Sequence, residues 1–105
     1  MGNYSKNDVI LVRYPFTDLS SSKVKPGVVV SAPHSSDDFF VVPLTSKTTS
    51  LLQGEFMLAD WSGEGLNALS AVKRGIYTVS KMLVIKKVGR LSAIDSKSLE
   101  ASLRE

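Results

Sequence analysis

Proline brackets the apolar runs in the first half of this chain. Val9-Ile10-Leu11-Val12 ends at Tyr14-Pro15, Val28-Val29-Val30-Ser31 follows Pro26-Gly27 and closes at Ala32-Pro33, and Phe39-Phe40-Val41-Val42 stops at Pro43. Proline has no N–H to give to a hydrogen-bonded ladder and fixes its own φ, so short β-branched runs bounded by it predict strands rather than helices. Further β-type stretches follow at Phe56-Met57-Leu58-Ala59, Ser70-Ala71-Val72-Lys73 and Gly75-Ile76-Tyr77-Thr78-Val79. Ile85-Lys86-Lys87-Val88-Gly89-Arg90-Leu91 reads as an edge strand, because lysines along an open edge discourage pairing with other chains. Ser20-Ser21-Ser22 and Thr45 to Ser50 are polar loops between these runs. Several short strands at this spacing predict a small closed or half-closed barrel.

The period changes near the end of the chain. Ser92-Ala93-Ile94-Asp95 has the pattern of an N-cap with an acidic residue at the third helical position. A helix from there places Ile94, Leu99 and Leu103 near one face, which is expected to pack on the barrel.

Length and composition bound the rest. At 105 residues and 43% hydrophobic content, one domain over residues 1–105 can bury a core without cross-links. The absence of cysteine excludes disulfides, thiolate nucleophiles and cysteine-ligated metals, and a single histidine, His34, makes a histidine metal cluster equally remote. No cofactor or metal is expected. The first residues lack the apolar core of a signal peptide and no run approaches a membrane span, so we expect a soluble, cytoplasmic protein with no membrane partner. The net charge is +3, but from Gly65 to Ile94 there is no acidic residue, while Lys73, Arg74, Lys81, Lys86, Lys87 and Arg90 are basic. Such a stretch attracts a polyanion or an acidic protein segment.

Few side chains are left to carry chemistry. His34 lies in a Ser/Asp-rich loop, Asp37-Asp38 reads as the polar start of a strand, and Gly63-Glu64-Gly65 lacks the third glycine and the lysine of a phosphate-binding loop. Cations and hydroxyls remain: Lys23, Lys25, Thr45, Ser46, Ser70, Lys73 and Arg74. These suit the attack of an RNA 2′-hydroxyl on its own neighbouring phosphate, where the substrate supplies the nucleophile and the protein must hold and stabilise charge.

Six segments, in order, carry a resemblance. They are Asp8 to Val12, Tyr14-Pro15-Phe16-Thr17-Asp18-Leu19-Ser20, Lys23-Val24-Lys25-Pro26-Gly27-Val28-Val29-Val30-Ser31, Val41-Val42-Pro43-Leu44-Thr45-Ser46, Gly65-Leu66 with Ser70-Ala71-Val72-Lys73, and Val88-Gly89-Arg90-Leu91. Together they resemble the PemK/MazF-like toxins of bacterial type II toxin-antitoxin pairs over nearly the whole chain. The resemblance implies a mainly β, SH3-like barrel with a C-terminal helix. It also implies a homodimer, a metal-independent endoribonuclease acting on single-stranded RNA, and a cognate antitoxin that holds it inactive. Carried over to this sequence, the catalytic positions are Lys25, where the family has an arginine before proline, and Thr45. Ser46, Lys23, Lys73 and Arg74 would contact RNA. The acidic residue that many members carry shortly before that arginine is absent, since Ser20-Ser21-Ser22 occupies the stretch.

Two other readings remain on the same fold. One is a catalytically weakened or inactive toxin-fold protein that acts through antitoxin or RNA binding. The other is a gyrase poison, disfavoured because the chain ends Ser102-Leu103-Arg104-Glu105 without the aromatic of that group's C-terminus. Trp61, in a polar loop, could stack on a base or pack against a second copy or an antitoxin.

Overall fold

The computed structural model describes residues 4–14, 23–31, 38–73 and 75–103. Its strands are β1 (Asp8–Tyr14), β2 (Lys23–Ser31), β3 (Asp38–Thr45), β4 (Phe56–Met57), β5 (Ala71–Val72), β6 (Tyr77–Ser80) and β7 (Val84–Arg90). One 3-10 turn (Lys81–Leu83) joins β6 to β7, and helix α1 (Ala93–Leu103) follows. All pairings are antiparallel, in the order β4-β5-β3-β2-β1-β7, with β6 alongside the first half of β3. The mainly β architecture with a C-terminal helix agrees with the sequence reading. Among the described residues the two ends of the sheet do not pair, so it is open rather than a closed barrel.

Two strands run through prolines that were expected to bound them, Pro26 at a start and Pro43 at an end. β3 continues past Pro43 to Thr45, and β2 begins before Pro26, which lies opposite Leu11. The position of Pro43 explains its tolerance. On that side β3 pairs with β6 up to Val41 and with β5 only from Leu44, so Pro43 falls in the gap between partners. Its carbonyl points to the β5 side and accepts from Lys73 N–H at 3.0 Å. The N–H that proline lacks would point the same way, so the β2–β3 ladder loses nothing.

The central strands are buried on both faces. Val9, Val28, Val42 and Leu44 form one cluster with Leu58, Val72, Leu91 and Leu99, while Ile10, Val12, Val29 and Val41 form a second with Val79. This double burial is why the runs are continuously apolar instead of alternating, and each fully buried valine contributes about 1.5 kcal/mol or more.

Helix α1 lies against the first cluster by a narrower face than expected. Leu99 is 3% exposed, but Ile94 is 67% and Leu103 42% exposed. The second buried residue of the helix is Asp95, one turn before Leu99. A carboxylate, not Ile94, therefore faces inward at the first turn.

Candidate functional site

The second face of the sheet has two unlike halves. Over Ile10, Val12, Val29 and Val41 it is covered by Val79 of β6, and Tyr4, Leu83 and Val84 pack on the same cluster. Past that cover, β2 and β3 carry polar side chains. Gly27 lies opposite Pro43, and continuing this β2–β3 register by two residues brings Lys25 level with Thr45. Thr45 lies opposite Ala71, Ala71 opposite Met57, and Lys25 opposite Val12 on its other side. Lys73 is one pleat along from Ala71, diagonal to Thr45. Directly opposed residues have Cβ atoms about 5 Å apart and diagonal ones about 7–8 Å apart. Lys25 and Lys73 are exposed and Thr45 is half-buried.

Gly27 lets the strands approach beside this row. A Cβ there would lie 2.5 Å from Val41 Cγ1, so any larger residue would force Val41 or the strand to shift. Thr45 Oγ1 accepts from the Lys47 N–H at 3.0 Å, which closes the turn leaving β3. A hydroxyl accepting one bond retains its own O–H to donate outward. Ser46 is exposed in that turn. Ser70 is buried, and its hydroxyl donates to the Ala68 carbonyl at 2.8 Å, so it holds the chain before β5. Lys23 opens β2 opposite Tyr14. Arg74, His34, Asp37, Asp18 and Ser20 to Ser22 lie outside the described residues.

The basic stretch of the sequence is divided in space. Lys73 is beside β5 near one end of the sheet, whereas Lys86, Lys87 and Arg90 are on β7 at the other end. Two of the latter have an internal partner. Lys87 Nζ and Arg90 Nη1 each lie 3.3 Å from Oδ1 of Asp8, which is 2% exposed and whose Oδ2 accepts from Ser5 N–H at 2.8 Å. Trp61 packs at the margin of the first core cluster, and its carbonyl accepts from Leu66 N–H at 3.0 Å.

Sequence reasoning missed a second polar cluster. Glu64 and Asp95 are each 1% exposed and lie side by side. Ser92 caps α1 by accepting from Asp95 N–H at 3.2 Å. The acidic residue of such a capping pattern normally bonds back to the cap's own N–H. Here Asp95 instead accepts from Ala59 N–H at 2.9 and 3.0 Å and from Asp60 N–H at 3.1 Å. Glu64 Oε2 takes the vacated role, accepting from Ser92 N–H at 2.7 Å. The Ser92-x-x-Asp95 spacing was visible in the sequence, but the partner supplied from 28 residues away was not. Gly65 and Gly89 bring the two backbones together: a Cβ on Gly65 would collide with the Val88 carbonyl, and one on Gly89 with the Glu64 carbonyl.

Solved structures share this fold. An "Endoribonuclease from Mycobacterial species" superposes with a TM-score of 0.73 at 19% identity, over 98% of this chain and 89% of its own. "Mycobacterium tuberculosis toxin MazF-mt6" gives 0.72 at 17% identity over 91% of each chain. An "Endoribonuclease in complex with its cognate antitoxin from Mycobacterial species" gives 0.74 at 18% identity, over 95% of this chain and 90% of that one. The architecture is therefore that of MazF-type toxins. Residues 5–105 match the family described as PemK-like, MazF-like toxin of type II toxin-antitoxin system, and the chain belongs to that family. No curated protein matches the sequence. No helix among the described residues is long and apolar enough to cross a membrane.

Proposed function

We propose that this protein is the toxin of a type II pair and cleaves single-stranded RNA without a metal, with Lys25 and Thr45 as catalytic residues. The observation that supports this reading most is the strand register, which, continued two residues past the Gly27–Pro43 pair, would bring Lys25 level with Thr45, with Lys73 diagonal to it on an open part of the sheet. A scissile phosphate lying across β2, β3 and β5 would meet an ammonium on each side and a hydroxyl between them. In the reaction the substrate's 2′-oxygen forms a bond to phosphorus and the bond to the 5′-oxygen breaks. The products are a 2′,3′-cyclic phosphate and a free 5′-hydroxyl, with the proton of the 2′-hydroxyl ending on the leaving oxygen.

Lys25 would stabilise the charge that builds on the pentacoordinate phosphorane, and the Thr45 O–H would donate to a non-bridging oxygen. Lysine supplies a point charge where arginine would supply a planar fork, so the phosphate is held less rigidly and a slower rate follows. Ser46, Lys23, Lys73 and Arg74 would steer the adjoining backbone. The same open face suits an acidic segment of a cognate antitoxin. Exposed Ile76, Tyr77, Met82 and Ile85 near β6 and β7 suit a homodimer in the cytoplasm.

The test is cleavage of a long single-stranded RNA in EDTA, with end mapping. We expect discrete cuts by the wild type and a loss of about 100-fold or more in Thr45→Ala and Lys25→Ala. Lys25→Arg should be faster than the wild type. Fragments that persist unchanged in the Lys25→Ala, Thr45→Ala double variant would refute the assignment, and activity appearing only in Lys25→Arg would favour a weakened toxin that acts by binding.

A further inference from the structure

The Glu64–Asp95 pair lies outside the candidate RNA site, and its geometry poses a chemical problem. Two carboxyl groups meet where neither reaches water. Asp95 uses both oxygens to accept backbone N–H groups from the 59–60 turn, and Glu64 Oε2 accepts from Ser92. That leaves Glu64 Oε1 with less than 1 Å² exposed and no donor among the described residues. A bare carboxylate oxygen in that position would be costly to bury, and beside a second anion more so. Among the described residues no cation pairs with either carboxyl: Asp60 in the same turn is exposed and accepts from Gly63, Arg90 on β7 pairs with Asp8, and Lys97 and Glu100 on α1 are exposed.

We infer that Glu64 and Asp95 share one proton, carried on Glu64 and donated to Asp95, and that this proton fastens the 59–64 turn to the start of α1. The neutral Glu64 then accepts from Ser92 with one oxygen and donates with the other. Every buried polar atom of the cluster is satisfied, and only one net charge is buried. The turn so held continues into the β4–β5 region, where Leu58 N–H donates to the Ser70 carbonyl. The clamp therefore ties the helix to the sheet segment beside Thr45.

The electrostatics agree. Burial first, then the hydrogen bond to Asp95, pushes Glu64 up to about 7. Burial also acts to raise Asp95, but the hydrogen bond from Glu64 and the N–H groups of Ala59 and Asp60 outweigh it and hold Asp95 below its usual value. A carboxyl raised in the folded state contributes stability that is present below its unfolded value and is lost as pH rises through about 7. Asp95 has the opposite sign, and its contribution is lost as pH falls below the ordinary aspartate range. The clamp is thus strongest in mildly acidic solution.

The test compares urea unfolding of the wild type and Glu64→Gln at pH 5.5 and pH 8. Glutamine reproduces the protonated side chain, with an N–H to donate and an oxygen to accept, and it cannot titrate. We expect the wild-type folding equilibrium constant to fall on the order of tenfold more than that of Glu64→Gln between the two pH values. His34 is present in both chains and cancels. Carboxyl carbon NMR of the wild type gives a second readout needing no variant, with Glu64 titrating near neutrality. Parallel pH profiles, or a Glu64 resonance that titrates in the ordinary carboxylate range, would overturn the proposal.

Discussion

The two polar clusters of this protein stand in opposite relations to its fold. Glu64 and Asp95 are enclosed with Ser92 half-buried beside them, and these groups bond to one another and to backbone N–H groups. Lys25 and Lys73 flank Thr45 in the open, and of these side chains Thr45 uses one lone pair to close a turn. The enclosed cluster makes the molecule hold its shape, since removing any member leaves a buried group unpaired. The open row contributes little to stability, which leaves it available for a phosphate backbone. With the inferred proton in place, the polar groups that fasten the fold are saturated, while those proposed to act on a ligand are not.

Substitutions test this contrast. The largest effect is expected at Gly89, whose replacement by alanine drives a methyl group into the Glu64 carbonyl and separates β7 from the turn. Thermal unfolding should register a loss of about 3 kcal/mol or more, and a loss below about 1 kcal/mol would show that the two backbones are free to part. Asp95→Ala comes next. It abandons the N–H groups of Ala59 and Asp60 and should cost about 2 to 3 kcal/mol in urea.

Lys73→Ala marks the small end in stability, within about 0.5 kcal/mol of wild type. Its effect should appear in RNA affinity instead, as a decrease of about one in the slope of log K against log salt. A large stability loss at Lys73, or none at Asp95, would erase the distinction between the clusters.

Much of the fold was legible because local chemistry dictates it. Short β-branched runs and the Ser92-x-x-Asp95 cap each appear where expected, at β1 to β3 and at the start of α1. Pro43 misled, because whether a missing N–H matters depends on which strand lies alongside, and the gap between β6 and β5 has no local signature. Ile94 misled for a related reason. Helical spacing defines faces but not which one turns inward, and the bonds from Asp95 to the 59–60 turn settled that choice.

The candidate site divides the same way. Lys25, Thr45 and Lys73 were named from residue type and resemblance, and their sequence separations say nothing of distance. The antiparallel sheet is what sets β2, β3 and β5 side by side, and its order is what separates Lys73 from Lys86 and Arg90 despite their nearness in sequence. Strand content, the helix start, the lack of any thiol and the family were all readable from residue order. Which polar residues are enclosed was settled only by folding, because burial and pairing belong to contacts between distant segments. That is why Glu64, ordinary in the sequence, stands at the centre of the clamp.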